Sequence, residues 1–197
     1  MNVFSLSYVM HSLAFIADSL FVGLKFAIPI LFLLNILRIR INKNTFASLT
    51  KAANSLLLMG GILFFLTIAI NLFVAWQSEN EFELQAFISI ATGAHWFQFM
   101  IPIFSFAFLP NILWIKRLRK SINASFLLVI CWYLSKFMVD YLTLAEEINP
   151  SHHSSLGKIP MTEYFEKSIV FAILFTVTFM IVNRKQYLYI DENRNQA

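Results

Sequence analysis

Five ionisable residues, Asp18, Lys25, His95, Lys136 and Asp140, stand inside otherwise apolar runs, and one amide, Asn71, stands in another. Groups of these types can exchange protons, pair as ions or face a redox partner within a membrane. They are costly in hydrocarbon and usually turn toward the inside of a helix bundle. His11, Asp18 and Lys25 recur every seven residues, so on a helix they fall on nearly one face. Asp18 and Lys25 would lie about 10.5 Å apart along the axis, so each needs a partner on another helix or in water. Lys136 and Asp140 are four apart and can pair along one helix. Counting inward from the segment ends puts Asn71, His95 and Lys136 in the same half of the membrane. That predicts an intramembrane polar network of Asp18, Lys25, Asn71, His95, Lys136 and Asp140. It would either hold the bundle together or take part in transport or redox chemistry.

Other chemistries are disfavoured. Axial histidines hold b-type haem, yet His11 falls at the rim of the first apolar run while His95 lies well inside the third, with no second histidine at its depth. His152 and His153 sit among Ser and Pro and read as a solvated loop. The single cysteine, Cys131, excludes an internal disulfide and a cysteine-based metal site. No nucleotide-binding or HExxH pattern occurs. A retinal Schiff base at Lys136 would need more than five spans to resemble the usual seven-helix pigment. No catalytic residue, no metal and no covalently bound cofactor are expected.

The elements that must position these groups follow from composition. Of 197 residues, 58% are hydrophobic and 13% charged, against about 25% charged in soluble domains. The mean hydropathy is +0.68. Five glycines and 22 phenylalanines fit packed, lipid-exposed helices, not a glycine-rich pore. A bilayer core of roughly 30 Å needs about 20 apolar residues in a helix. Five such runs are predicted, near 14–37, 52–76, 84–115, 122–144 and 165–182, with a polar tail at 183–197. The third, ending in Lys116, Arg117, Arg119 and Lys120, is the clearest. Residues 1–15 lie on the surface or extend the first span, with a bend expected near His11–Asp18. Residues 41–51 read as a basic loop and 146–167 as the longest loop. The expected fold is an all-α polytopic membrane protein, a single integral membrane domain over 1–197. Spans two to five form an up-and-down four-helix bundle, with span one packed alongside.

Charge sets the expected orientation. Eleven of the fifteen Lys and Arg residues fall on one side: Arg38, Arg40, Lys43, Lys51, Lys116, Arg117, Arg119, Lys120, Arg184, Lys185 and Arg194. The excess of basic residues predicts that side to be cytoplasmic, the N-terminus outside and the C-terminus inside. The formal charge of +4 is not a nucleic-acid signature, because the cations sit where helices leave the membrane.

The segments FVAWQSENEFE (73–83), ATGAHWFQFMIPIFSFAFLPNILWIKRLRKS (91–121) and VICWYLSKFMV (129–139) resemble integral membrane subunits of the NrfD/polysulfide-reductase type. The likeness spans roughly residues 15–182 and is nearest to the second half of the C subunit of alternative complex III. It implies a place beside iron–sulfur and haem subunits in a quinol-linked complex. The departures bear on function. Asn71 stands where that family has a buried glutamate, and Leu134 and Ser135 stand in place of its acidic and arginine residues, with Lys136 next to them. Glu163 falls one place short of the family's loop glutamate.

The resemblance therefore implies a non-catalytic or accessory membrane subunit of a respiratory electron-transfer complex, anchoring redox partners. Quinone or a structural lipid would be its ligand, and membrane lipids and other subunits its partners. An active quinone-interacting or proton-conducting subunit using His95, Lys136 and Asp140 is the alternative. A small independent transporter or sensor is the second.

Overall fold

In hydrocarbon no water satisfies the backbone, so each long apolar run closes its hydrogen bonds internally as a helix. The structure is a computed structural model and describes residues 3–37, 42–77, 85, 88–89, 92–93, 96–147 and 161–195. For 3–7, 143–147 and 185–195 it describes the backbone alone. The helices are α1 (Val3–Ile36), α2 (Lys43–Gln77), α3 (Trp96–Pro102), α4 (Lys116–Arg119), α5 (Ile122–Glu147) and α6 (Met161–Asn195). After α3 the chain continues as a π-helical segment, Ile103–Phe108, and a 3-10 stretch, Leu109–Trp114. Among the described residues five segments are long and apolar enough to cross a membrane: Tyr8–Ile36, Lys43–Gln77, Trp96–Trp114, Ile122–Leu142 and Met161–Arg184. The protein is an all-α polytopic membrane protein with five candidate spans.

α1 is helical throughout from Val3, the expected extension of the first span. Two boundaries differ from the expectation. α2 starts at Lys43 and absorbs most of the expected basic loop. Asn42 precedes it as an N-cap, its Oδ1 accepting the Asn44 N–H at 3.0 Å. Ser48 and Thr50 are buried, so this turn packs like the rest of the helix. α6 likewise continues past Asn183 to Asn195, through a stretch with no Gly or Pro to stop it.

Cross-helix contacts fix the alternation of direction. Ser48 at the start of α2 bonds Asn183 late in α6, and Asn54 bonds the Arg119 carbonyl at the end of the third span. Phe32 of α1 stacks on Phe126 of α5, while Phe21 meets Trp132, so α1 and α5 are antiparallel. α1 and α6 run parallel, since Asp18 pairs with Lys167 and Gly23 faces Phe171. The ends thus alternate as the charge pattern requires, and Lys43, Lys51, the α4 cations and Arg184 share one end of the bundle.

The packing order departs from the expected one: the first span lies at the centre. α1 packs on α2, α5 and α6, and 39% of its apolar window is buried, against 6% for the fifth span. Its core residues Ala17, Leu20, Phe21, Leu24, Ile28 and Leu31 follow helical spacing and meet Ala53, Leu56 and Leu57 of α2 and Leu128, Val129 and Trp132 of α5. The fifth span has α1 and α2 as its main neighbours. A short loop forces adjacent spans together, but the long segment before α6 lets it dock away from α5.

Candidate functional site: polar groups within the bundle

The irregular third span is the first place where buried polar chemistry concentrates. Proline lacks an N–H, so a proline inside a helix leaves a carbonyl without its donor. In the π register Leu109 donates its N–H to the Phe104 carbonyl, five residues back. The next donor in that register would be Pro110, and the carbonyl it leaves free is that of Ser105. The indole Nε1 of Trp132 donates to the Ser105 carbonyl at 2.7 Å, with both groups buried. One turn on, Asn111 Nδ2 donates to the Ala107 carbonyl at 2.7 Å. The backbone approaches α2 closely here. A methyl group on Gly61 would stand 2.9 Å from the Pro110 Cβ and 3.2 Å from the Phe106 carbonyl oxygen. Phe21, Phe64, Phe106 and Trp132 pack edge-on or stacked around this level.

The charged groups separate into two sets. In the first, Lys167 of α6 is nearly buried, its side chain 6% exposed. Its Nζ lies 2.8 Å from Glu163 Oε1, one turn earlier, and 3.2 Å from Asp18 Oδ2 of α1. In the second, Lys25 of α1 holds its Nζ 5.5 Å from the Phe106 ring centroid, a cation–π distance. Lys25 also lies close enough to Lys136 and Asp18 for their charges to act on it. Lys136 is exposed and Asp140 half-buried on α5.

The Lys136–Asp140 pair expected along α5 is not made as a direct contact: among the described residues the ion pairs are those of Lys167. The order of charges explains it. Acid four residues before base is the favourable arrangement on a helix, as in Glu163–Lys167, and base before acid is the weaker one. Asp18 and Lys25, expected to need partners on other helices, have Lys167 and the Phe106 ring. Asn71 is exposed on α2, and His11 is exposed on α1. His95, His152 and His153 lie outside the described residues. The described members of the expected network are therefore not joined in one chain of hydrogen bonds.

Two polar clusters were not singled out from sequence. Lys167 falls in the stretch expected as the long loop; its signal in the sequence is Glu163 four residues earlier, the spacing that favours an ion pair along a helix. Asn54 is fully buried, donates Nδ2 to the Arg119 carbonyl at 2.8 Å and accepts the Ser125 hydroxyl. It ties α2, the end of α4 and the start of α5 together. Asparagine in an apolar helix is the usual sign of such an interhelical bond. Among the described residues no group of three His, Cys, Asp or Glu side chains is placed to hold a metal ion. No family model, curated protein or solved structure matches the chain.

Proposed function

We propose that this protein is an accessory membrane subunit that anchors and scaffolds partners in a quinol-linked electron-transfer complex of a bacterial inner membrane, with its N-terminus outside and its C-terminus in the cytoplasm. The observation that carries the scaffold reading is how the buried polar groups are used. Lys167, Asn54 and Trp132 each bond another helix of the same bundle, α1, α4 and the π segment respectively. Groups tied in this way resist separation of the helices, because releasing them would leave polar atoms in hydrocarbon. The fifth span, with 6% of its window buried, offers a long apolar face to lipid or to neighbouring subunits. The quinol-linked setting is drawn from the resemblance carried by residues 73–83, 91–121 and 129–139.

Native mass spectrometry of the chain extracted in mild detergent tests the reading. The expected result is a hetero-oligomer in which at least one subunit carries an iron–sulfur or haem group. A monomer without co-purifying subunits overturns it.

A further inference from the structure

The α5 face around Lys136 carries an exposed cation that makes no ion pair among the described residues. Tyr133 and Phe137 flank it, both exposed. Lys136 stands fourteen residues after Ile122 and eleven before Glu147, the two ends of α5, about 21 and 17 Å along the helix. The shorter way to water is toward the C-terminal end of α5. Helical side chains lean toward the N-terminus, however, so this ammonium is directed back toward the hydrocarbon. Snorkelling, the usual escape of a membrane lysine, therefore works against the geometry.

Lys25 adds to the excess. It lies one turn beyond Phe21 on α1, as Lys136 lies one turn beyond Trp132 on α5, and the Phe21 and Trp132 rings meet at 5.0 Å. Because the two helices are antiparallel, both lysines lean toward that shared level, and their charges repel. Among the described residues neither lysine makes an ion pair with a carboxylate. Asp18 is bonded to Lys167, and Asp140 makes no ion pair with Lys136 among the described residues. An ionic group in a bilayer is retained where something of opposite charge meets it.

We propose that the α5 face around Lys136 docks a membrane-spanning helix of a partner subunit carrying an Asp or Glu at the same depth. The proposal rests on the accessory-subunit reading and names the chemistry of the partner. The carboxylate supplies the missing counter-charge, and the apolar side chains beside Lys136 supply the packing surface around it.

A photo-crosslinking amino acid placed at Tyr133 or at Phe137, in the full chain in its own membrane, tests this. The backgrounds are wild type, Lys136→Met and Lys136→Arg. The expected adduct is with another membrane protein, through a span that contains Asp or Glu. Its yield falls at least fivefold in Lys136→Met and stays within twofold in Lys136→Arg. Combining Lys136→Glu with a lysine at the partner's carboxylate restores it. Adducts with lipid alone, with a second copy of this chain or with a span lacking a carboxylate overturn the proposal, as does a yield indifferent to Lys136→Met. Native mass spectrometry on the same preparations separates the two failures. If subunits co-purify but the adduct fails, this inference alone is overturned; if no subunit co-purifies, the accessory-subunit reading falls with it. Lys136 lies on the surface, and an unchanged near-ultraviolet signal from buried Trp132 confirms that each variant is folded.

Discussion

Two acid–base couples at four-residue spacing behave in opposite ways in this bundle. On α6, Glu163 precedes Lys167 and the two meet at 2.8 Å; on α5, Lys136 precedes Asp140 and no ion pair forms. The residue types and separation are nearly the same. What differs is order and surroundings. Side chains lean toward the helix N-terminus, so a long lysine reaches back to an acid one turn earlier, whereas a lysine that comes first leans away from the acid that follows. Lys167 also faces the central helix, where Asp18 adds a second carboxylate, and Lys136 faces outward. The first couple fastens one helix to another, and the second leaves Lys136 without an ion pair among the described residues.

The comparison can be broken most directly at Lys167. Lys167→Ala removes the cation between two carboxylates and leaves them facing each other. Losing one member of a buried ion pair costs about 3–5 kcal/mol. Because Asp18 and Glu163 are 53% and 39% exposed, a loss of about 2–3 kcal/mol is expected after solvent screening. Unfolding in mixed detergent measures it, and a loss below about 0.5 kcal/mol would show that the contact does not hold α6. The neighbouring close packing provides a second handle. A methyl group at Gly23 would fall on the Phe171 ring, so Gly23→Ala is expected to cost about 1–3 kcal/mol by forcing α6 away from α1. If its effect and that of Lys167→Ala are fully additive, clamp and packing act independently; strong coupling is expected.

Asp18→Asn is milder, because Glu163 still neutralises Lys167. It is expected to cost about 1 kcal/mol or less in the same unfolding assay. A loss as large as that of Lys167→Ala would make Asp18 the principal partner. The smallest effect comes from reversing the α5 couple. The double variant Lys136→Asp with Asp140→Lys sets acid before base and is expected to gain only about 0.2–0.5 kcal/mol of helix stability. It also pairs the cation along α5 and moves it by one turn, so crosslinking from Tyr133 should fall while the bundle itself is undisturbed. No measurable gain would mean that surroundings, not order, keep the native couple apart.

How much was legible varies from residue to residue. The third span could be read from its single apolar run and the Lys116–Lys120 cations behind it. Pro102 and Pro110 within it are the local cause of its irregular register. That Trp132, far along the chain, would donate to the carbonyl that Pro110 leaves free could not be read, because it depends on the register in which two helices meet. Lys25 and Asp18 need outside partners, yet the Phe106 ring lies 81 residues from Lys25 and Lys167 lies 149 residues from Asp18. Nothing in the sequence around Asn54 shows which carbonyl its amide would reach.

The sequence by itself determined that the protein is helical, that it has five spans, and at which end the cations gather. Those properties follow from apolar run length and from the placement of charges, both of which are local. Only the tertiary structure decided that the first span lies at the centre, that α6 docks on α1 and α2, and which of two similar charge pairs closes. These depend on which helix faces meet. In a chain apolar nearly all round, hydrophobicity does not distinguish one face from another; close approach at Gly23 and Gly61 and a few interhelical polar bonds do.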